Sequence, residues 1–302
     1  MIYYNTYYNI LSIINYKLYI IYILSRMDIT EHNLNEETTI LLTIGRMNPP
    51  TTGHLLLIKT MLQQALRENL SQINIILSHS QDTKKNPFHC EQKRNLLIND
   101  NETIYPGQSQ AQNQSMITLL KQQMMAEHPE QARQIEKIAV QIVCMNDNVN
   151  PEYGKHPIMK SITYILHDLY GYPREGLTIK LFVGEDRVND YGWIKKYLET
   201  LEPNTNTITM EIVGLPRPEG AMSATQMREY ALTNNWEEFK RNMASTGLDE
   251  VVVRYMFDEI RSNMIIQEPP RKKRKTRGGK RRKTTKRKRR KTKTKRKRKN
   301  KE

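Results

Sequence analysis

Five short apolar runs, at residues 39–44, 73–77, 140–145, 177–183 and 207–213, recur down the chain with helix-spaced segments between them. No other feature narrows the fold as far. Runs of this length, rich in Ile, Leu and Val and punctuated by Gly, Asn or Pro, read as strands buried on both faces. Between and after them, apolar residues at helical spacing predict helices over 54–69, 91–99, 158–170, 188–200, 223–233, 236–243 and 249–264. A Gln-rich stretch over 116–139 predicts two more helices broken near Pro129, after a polar loop at 101–114. Strands separated by helices of this length predict an α/β fold, a doubly wound parallel sheet with a helical insertion and C-terminal helices. Ligands in such sheets bind beyond the carboxyl ends of the strands. The loops after Ile44, Leu77, Val183 and Val213 are therefore where chemistry is expected.

Composition divides the chain of 302 residues into three parts: an extension over 1–37, a domain over 38–266 and a polybasic tail over 267–302. Residues 271–302 hold 23 basic residues and one acidic residue, so a chain of formal charge +16 leaves −6 on residues 1–270. The basic pI describes the tail and not the domain. Such a tail repels itself, buries no apolar surface and predicts disorder with affinity for nucleic acid or another polyanion. The other reading is a solvated tail with no dedicated partner. At the other end, residues 2–24 are apolar but interrupted by Lys17 and several Asn, and the unbroken run is shorter than the ~20 residues of a spanning helix. No membrane partner is expected. Translation from Met27 explains the break in composition there, and an anchor or a disordered extension are the other readings. Cys90 and Cys144 are too few for a disulfide framework, which suggests a reducing, intracellular compartment, nucleus or cytoplasm. The chain lacks C-x-x-C, H-E-x-x-H, a Walker A lysine loop and G-x-G-x-x-G, and its histidines show no metal-ligand spacing, so no protein-held metal is expected.

The first loop reads Gly45-Arg46-Met47-Asn48-Pro49-Pro50-Thr51-Thr52-Gly53-His54. Gly45 lets the strand turn, Pro49 and Pro50 stiffen the path, and Thr51 or Thr52 caps the helix that follows. Gly53 removes a side chain where a phosphate or base would approach, and His54 lies in the first helical turn, where amide donors hold anions. Taken singly, these residues make an ordinary strand-to-helix turn with a surface His; the complete run argues otherwise. A second segment, Met222-Ser223-Ala224-Thr225-Gln226-Met227-Arg228, contains an S-x-x-Q capping box at Ser223 and Gln226. A capped helix start also presents phosphate donors, and Arg228 would add a charge-assisted contact one turn on.

Together the two segments, about 170 residues apart, resemble the signatures of the nucleotidylyltransferase superfamily, the cytidylyltransferase-like enzymes with a Rossmann-like sheet. The first is similar to G-x-F-x-P-x-(H/T)-x-G-H, with Met47 where Phe is usual. The second is similar to I-S-S-T-x-I-R, with Ala224 as a departure. The loop Ser78-His79-Ser80-Gln81-Asp82-Thr83-Lys84-Lys85-Asn86-Pro87 resembles that of phage and large-virus members, which suggests a viral source and a host-cell location. Gly184-Glu185-Asp186 and Trp193 resemble the acceptor pocket of nicotinamide mononucleotide adenylyltransferases in the superfamily.

What the resemblance implies is transfer of AMP or CMP from an NTP to an acceptor phosphate, nicotinamide mononucleotide first among acceptors, with Mg²⁺ accompanying the NTP and pyrophosphate released. His54 and Thr51 would be catalytic. Gly45, Arg46, Met47, Gly53, Ser223, Thr225, Arg228, Lys84 and Lys85 would bind nucleotide. Gly184, Asp186 and Trp193 would line the acceptor pocket. Lys84 and Lys85 read equally as solvated lysines, and an aromatic such as Trp193 is more often core than a stacking platform. The rival reading is an inactive α/β domain in a nucleic-acid-binding or virion-associated protein.

Overall fold

A computed structural model describes residues 39–99, 114–145, 153, 155–171, 176–201, 208–217 and 222–264. The N-terminal extension, the loop at 101–113 and the polybasic tail lie outside the described residues.

The elements run β1 (Thr39–Gly45), α1 (Thr52–Arg67), β2 (Gln72–Leu77), α2 (Cys90–Leu97), α3 (Met116–Glu127), α4 (Ala132–Lys137), β3 (Ala139–Cys144), α5 (Pro157–Tyr164), β4 (Leu177–Gly184), α6 (Gly192–Leu201), β5 (Ile208–Leu215), α7 (Ala224–Leu232), α8 (Trp236–Met243) and α9 (Glu250–Asn263). All five strands pair in parallel, in the order β3-β2-β1-β4-β5. The chain winds outward from β1 through β2 to β3, then returns to the other side of β1 to lay down β4 and β5. The fold is thus α/β and Rossmann-like, with its topological switch point between β1 and β4.

Each strand feeds two cores because successive side chains point to opposite faces. Ile40, Leu42 and Ile44 of β1 pack with Met159 and Ile162 of α5 and Ile194 and Leu198 of α6. Leu41 packs on the other face with Leu55, Ile58 and Leu62 of α1 and with Phe239 and Phe257 of α8 and α9. One polar residue interrupts β2: Asn74 is buried, but its amide donates to Leu41 O at 3.2 Å and to the Tyr170 hydroxyl at 3.0 Å. The helix expected over 158–170 widens to a π-helical segment at Ile165–Leu169, which carries Tyr170 to that contact.

Two expectations change. A 3₁₀ segment, Glu185–Tyr191, precedes α6, so the helix begins at Gly192 and not at 188. The two cysteines are also joined: Cys90 and Cys144 form a disulfide with Cα atoms 5.9 Å apart across a sequence separation of 54. Cys90 opens α2 and Cys144 closes β3, so both lie at the carboxyl edge of the sheet. The pairing follows from strand topology, which spacing alone does not reveal.

Candidate functional site

Beyond Gly45 the chain leaves β1 in a tight turn. Met47 adopts φ 42°, the left-handed region, and its side chain turns back into the core with 2 % exposure. Gly45 makes room for it, since a Cβ there would meet Met47 Cγ at 3.4 Å. Met47, expected to contact nucleotide, has its side chain in the packing that sets the turn.

Asn48 is the hub of this turn, buried at 1 % exposure. Its amide nitrogen donates to Phe88 O at 2.7 Å, and its amide oxygen accepts from Phe88 N at 3.0 Å. Its own carbonyl accepts from Arg228 Nη1 at 2.6 Å. One residue therefore holds together the first segment, the loop after β2 and helix α7.

Thr51 caps α1 in an extended conformation. His54 Nδ1 accepts from Thr51 N at 3.0 Å and lies 2.9 Å from Thr51 Oγ1. An Nδ1 that accepts carries no proton, so the neutral ring bears its hydrogen on Nε2. Burial, with the charge of Arg217 second, lowers the His54 pKa to about 4. At neutral pH His54 is thus an uncharged donor at the start of α1. The hydroxyl of Thr51, the other residue expected to be catalytic, is buried against the imidazole.

The second segment meets the first at Gly53, where a Cβ would lie 3.4 Å from Met222 O. One residue on, Ser223 caps α7 in the expected box: its Oγ accepts from Gln226 N at 3.2 Å and Ser223 N donates to Gln226 Oε1 at 3.2 Å. Thr225 is exposed and accepts from Arg228 Nη2 at 3.1 Å. Arg228, expected to meet phosphate one turn into the helix, is only 8 % exposed. It sits one turn into α7, where the inward face meets Asn48.

In the loop after β2, Asp82 accepts from the backbone of Lys84 at 2.8 Å and of Lys85 at 2.7 Å. The Lys85 backbone contact, foremost among these hydrogen bonds, holds the Asp82 pKa down to about 2. The two lysine side chains stand exposed on this braced loop. Lys93 of α2 reaches the same edge from below and is fully buried. Its ammonium donates to Arg46 O at 3.1 Å, to Ser78 Oγ at 3.2 Å and to Ser78 O. The Arg46 side chain is exposed, and its charge lowers the pKa values of Lys93 and Arg228, second in each case to burial. The edge of β1 is therefore ringed by Arg46, Lys93, Arg217 and Arg228. Two helix N-termini open onto the same place, which favours bound polyanion. Sequence reasoning missed Asn48, Lys93 and Arg217.

At the end of β4 the Asp186 carboxylate folds over Gly184, 2.7 Å from where its Cβ would be. Trp193, 37 % exposed, meets the His156 ring edge-on at 4.6 Å, so it is a surface aromatic and not core. Tyr191 ties this segment to β1 by donating to Ile44 O at 3.3 Å.

No family model matches the chain, and no curated protein matches it. Among solved structures it is similar to a protein from Vibrio parahaemolyticus assigned as a nicotinate-nucleotide adenylyltransferase. Identity is 12% and the TM-score 0.37, over 72% of this chain and 98% of that one. A likeness so distant bears no weight for function. No helix among the described residues is long and apolar enough to cross a membrane.

Proposed function

We propose that this site is a nucleotidyltransferase centre that passes AMP or CMP from an NTP to an acceptor phosphate, with nicotinamide mononucleotide the leading acceptor. The observation that carries the reading is the meeting of the two helix starts at Gly53 and Met222, with His54 Nε2–H and the ring of cations around them.

An acceptor phosphate oxygen attacks the α-phosphorus, the α–β phosphoanhydride bond breaks and pyrophosphate leaves with the electron pair. The protein contributes position and charge, and no covalent intermediate is needed. His54 Nε2–H donates to a non-bridging oxygen of the α-phosphoryl group as negative charge gathers there. The capped start of α7 at Ser223 and Thr225, with Arg46 and Arg217, receives the β- and γ-phosphates. Lys84 and Lys85, exposed on the braced loop after β2, would add charge toward the same phosphates. Arg228 acts through Asn48, holding the first turn in place. Gly184, Asp186 and Trp193 border the acceptor side, where the exposed indole offers a face for a planar base.

Among the described residues no three His, Cys, Asp or Glu gather to hold a metal. Mg²⁺ brought with the NTP would offset part of its phosphate charge, alongside Arg46, Arg217 and the start of α7.

Pyrophosphate release by the full chain, with ATP and CTP each offered nicotinamide mononucleotide and other phosphorylated acceptors, tests the reading. Turnover with one donor–acceptor pair is the expected result. Absence of any nucleotide binding would leave the nucleic-acid-binding reading in its place.

A further inference from the structure

We propose that Lys93 is a positioning residue of this site, a fixed internal cation that aligns the β1 and β2 loops and takes the donor's polyphosphate as its counter-charge. The inference rests on the nucleotide reading above and adds to it a residue that neither signature contains.

Helix α2 buries Cys90, Lys93, Leu96 and Leu97, one continuous inward stripe. Spacing demands an apolar residue at 93, and an ammonium stands there with no exposed surface. Its three protons match three acceptors: Arg46 O, Ser78 O and Ser78 Oγ. Those residues follow β1 and β2, neighbours whose ends are in register at Gly45 and Leu77 and linked by Ser78 N to Gly45 O at 3.1 Å. Lys93 thus fixes the spacing of the two loops that frame the phosphate region.

None of the three acceptors is a carboxylate. They satisfy the donors but leave the charge uncompensated, and the Arg46 guanidinium nearby adds charge of the same sign. A buried ion without a partner is costly in an ordinary core, where an apolar residue of the same length would pack as well. The arrangement becomes favourable once an anion occupies the adjacent edge of the sheet, and electrostatic preorganisation of that kind is what a phosphate site needs. Burial lowers the Lys93 pKa only to about 8, so the charge is present at neutral pH.

The test titrates full-length wild type, Lys93→Met, Lys93→Gln and Lys93→Arg with inorganic tripolyphosphate, ATP and CTP by calorimetry, with thermal melting alongside. Both neutral variants should fold and lose at least about tenfold in tripolyphosphate affinity, while Lys93→Arg stays within about threefold of wild type. A merely structural lysine would move the melting temperature and leave polyphosphate affinity of the folded protein alone. Wild-type affinity in either folded neutral variant overturns the proposal. Equal losses in Lys93→Arg and Lys93→Met, or failure of both neutral variants to fold, overturn it as well. If wild type itself binds neither nucleotide nor tripolyphosphate, the nucleotide reading is what has failed.

Discussion

Replacing His54 by Ala separates the chemistry from the scaffold. The side chain has two tasks on two nitrogens. Nδ1 accepts from Thr51 N at 3.0 Å, part of the cap of α1, and Nε2–H is the donor proposed for the α-phosphoryl group. Loss of the first should cost about 1 kcal/mol of stability, the scale of a helix cap. Loss of the second should lower kcat by about 10²–10³, the scale of one donor to developing negative charge. Affinity for the NTP should change little, because the polyphosphate is held elsewhere. Steady-state pyrophosphate release together with calorimetric nucleotide affinity resolves the two effects.

The pH dependence sharpens the same test. With a pKa lowered to about 4, His54 is neutral throughout the working range. The ratio of wild-type to His54→Ala kcat/KM should therefore be constant from about pH 8 to pH 5, since this quantity reports the free enzyme. Taking the ratio removes titration of the substrate's own phosphates. An ordinary imidazole acting as a cation would make the ratio rise as pH falls through about 6.5. Such a rise, or full turnover in the Ala variant, refutes the neutral-donor assignment. Stability follows the opposite limb. The unfolded chain protonates His54 near 6.5 and the folded chain only near 4, so stability falls as pH drops between them, and His54→Ala should flatten that fall.

Three further perturbations address the frame. Arg228→Ala leaves the buried Asn48 carbonyl without its 2.6 Å donor and should cost about 2–3 kcal/mol in urea unfolding, besides weakening ATP binding; an unchanged midpoint would refute the hub. Reducing the disulfide, or Cys90→Ser with Cys144→Ser, should lower stability by about 4 kcal/mol on a chain-entropy account of a 54-residue separation. Coincident denaturation curves with and without reductant would refute that account. Removing residues 271–302 should abolish salt-sensitive retention on DNA or RNA while leaving nucleotidyl transfer intact, because 23 basic residues leave with the tail. Unchanged retention would move the binding to the acidic domain.

The contrast between what the sequence disclosed and what it hid has a physical cause. A parallel strand is buried on both faces, so it must be an apolar run, and five such runs were legible with their order along the chain. Helix starts were legible too, because a cap is a local contract between residues three apart, as at Ser223 and Gln226. The site's internal wiring depends on strand order instead. Asn48 and Phe88 are 40 residues apart and Asn48 and Arg228 are 180 apart, and nothing near any of them announces the contact. The same holds for Cys90 and Cys144, brought together because β2 and β3 are neighbours and α2 lies over their ends. Met47 is a related case: the positive φ that turns its side chain inward belongs to a turn that Asn48 ties to Phe88. Lys93 alone left a trace, a charge on the Cys90–Leu96–Leu97 stripe where helical spacing calls for a hydrophobe. A violation of that kind, in a chain otherwise consistent with its fold, marks a place where the fold has been bent to a second purpose. At this position the two carbonyl acceptors and one hydroxyl explain how the charge is tolerated, and the proposed polyphosphate at the adjacent edge would supply its counter-charge.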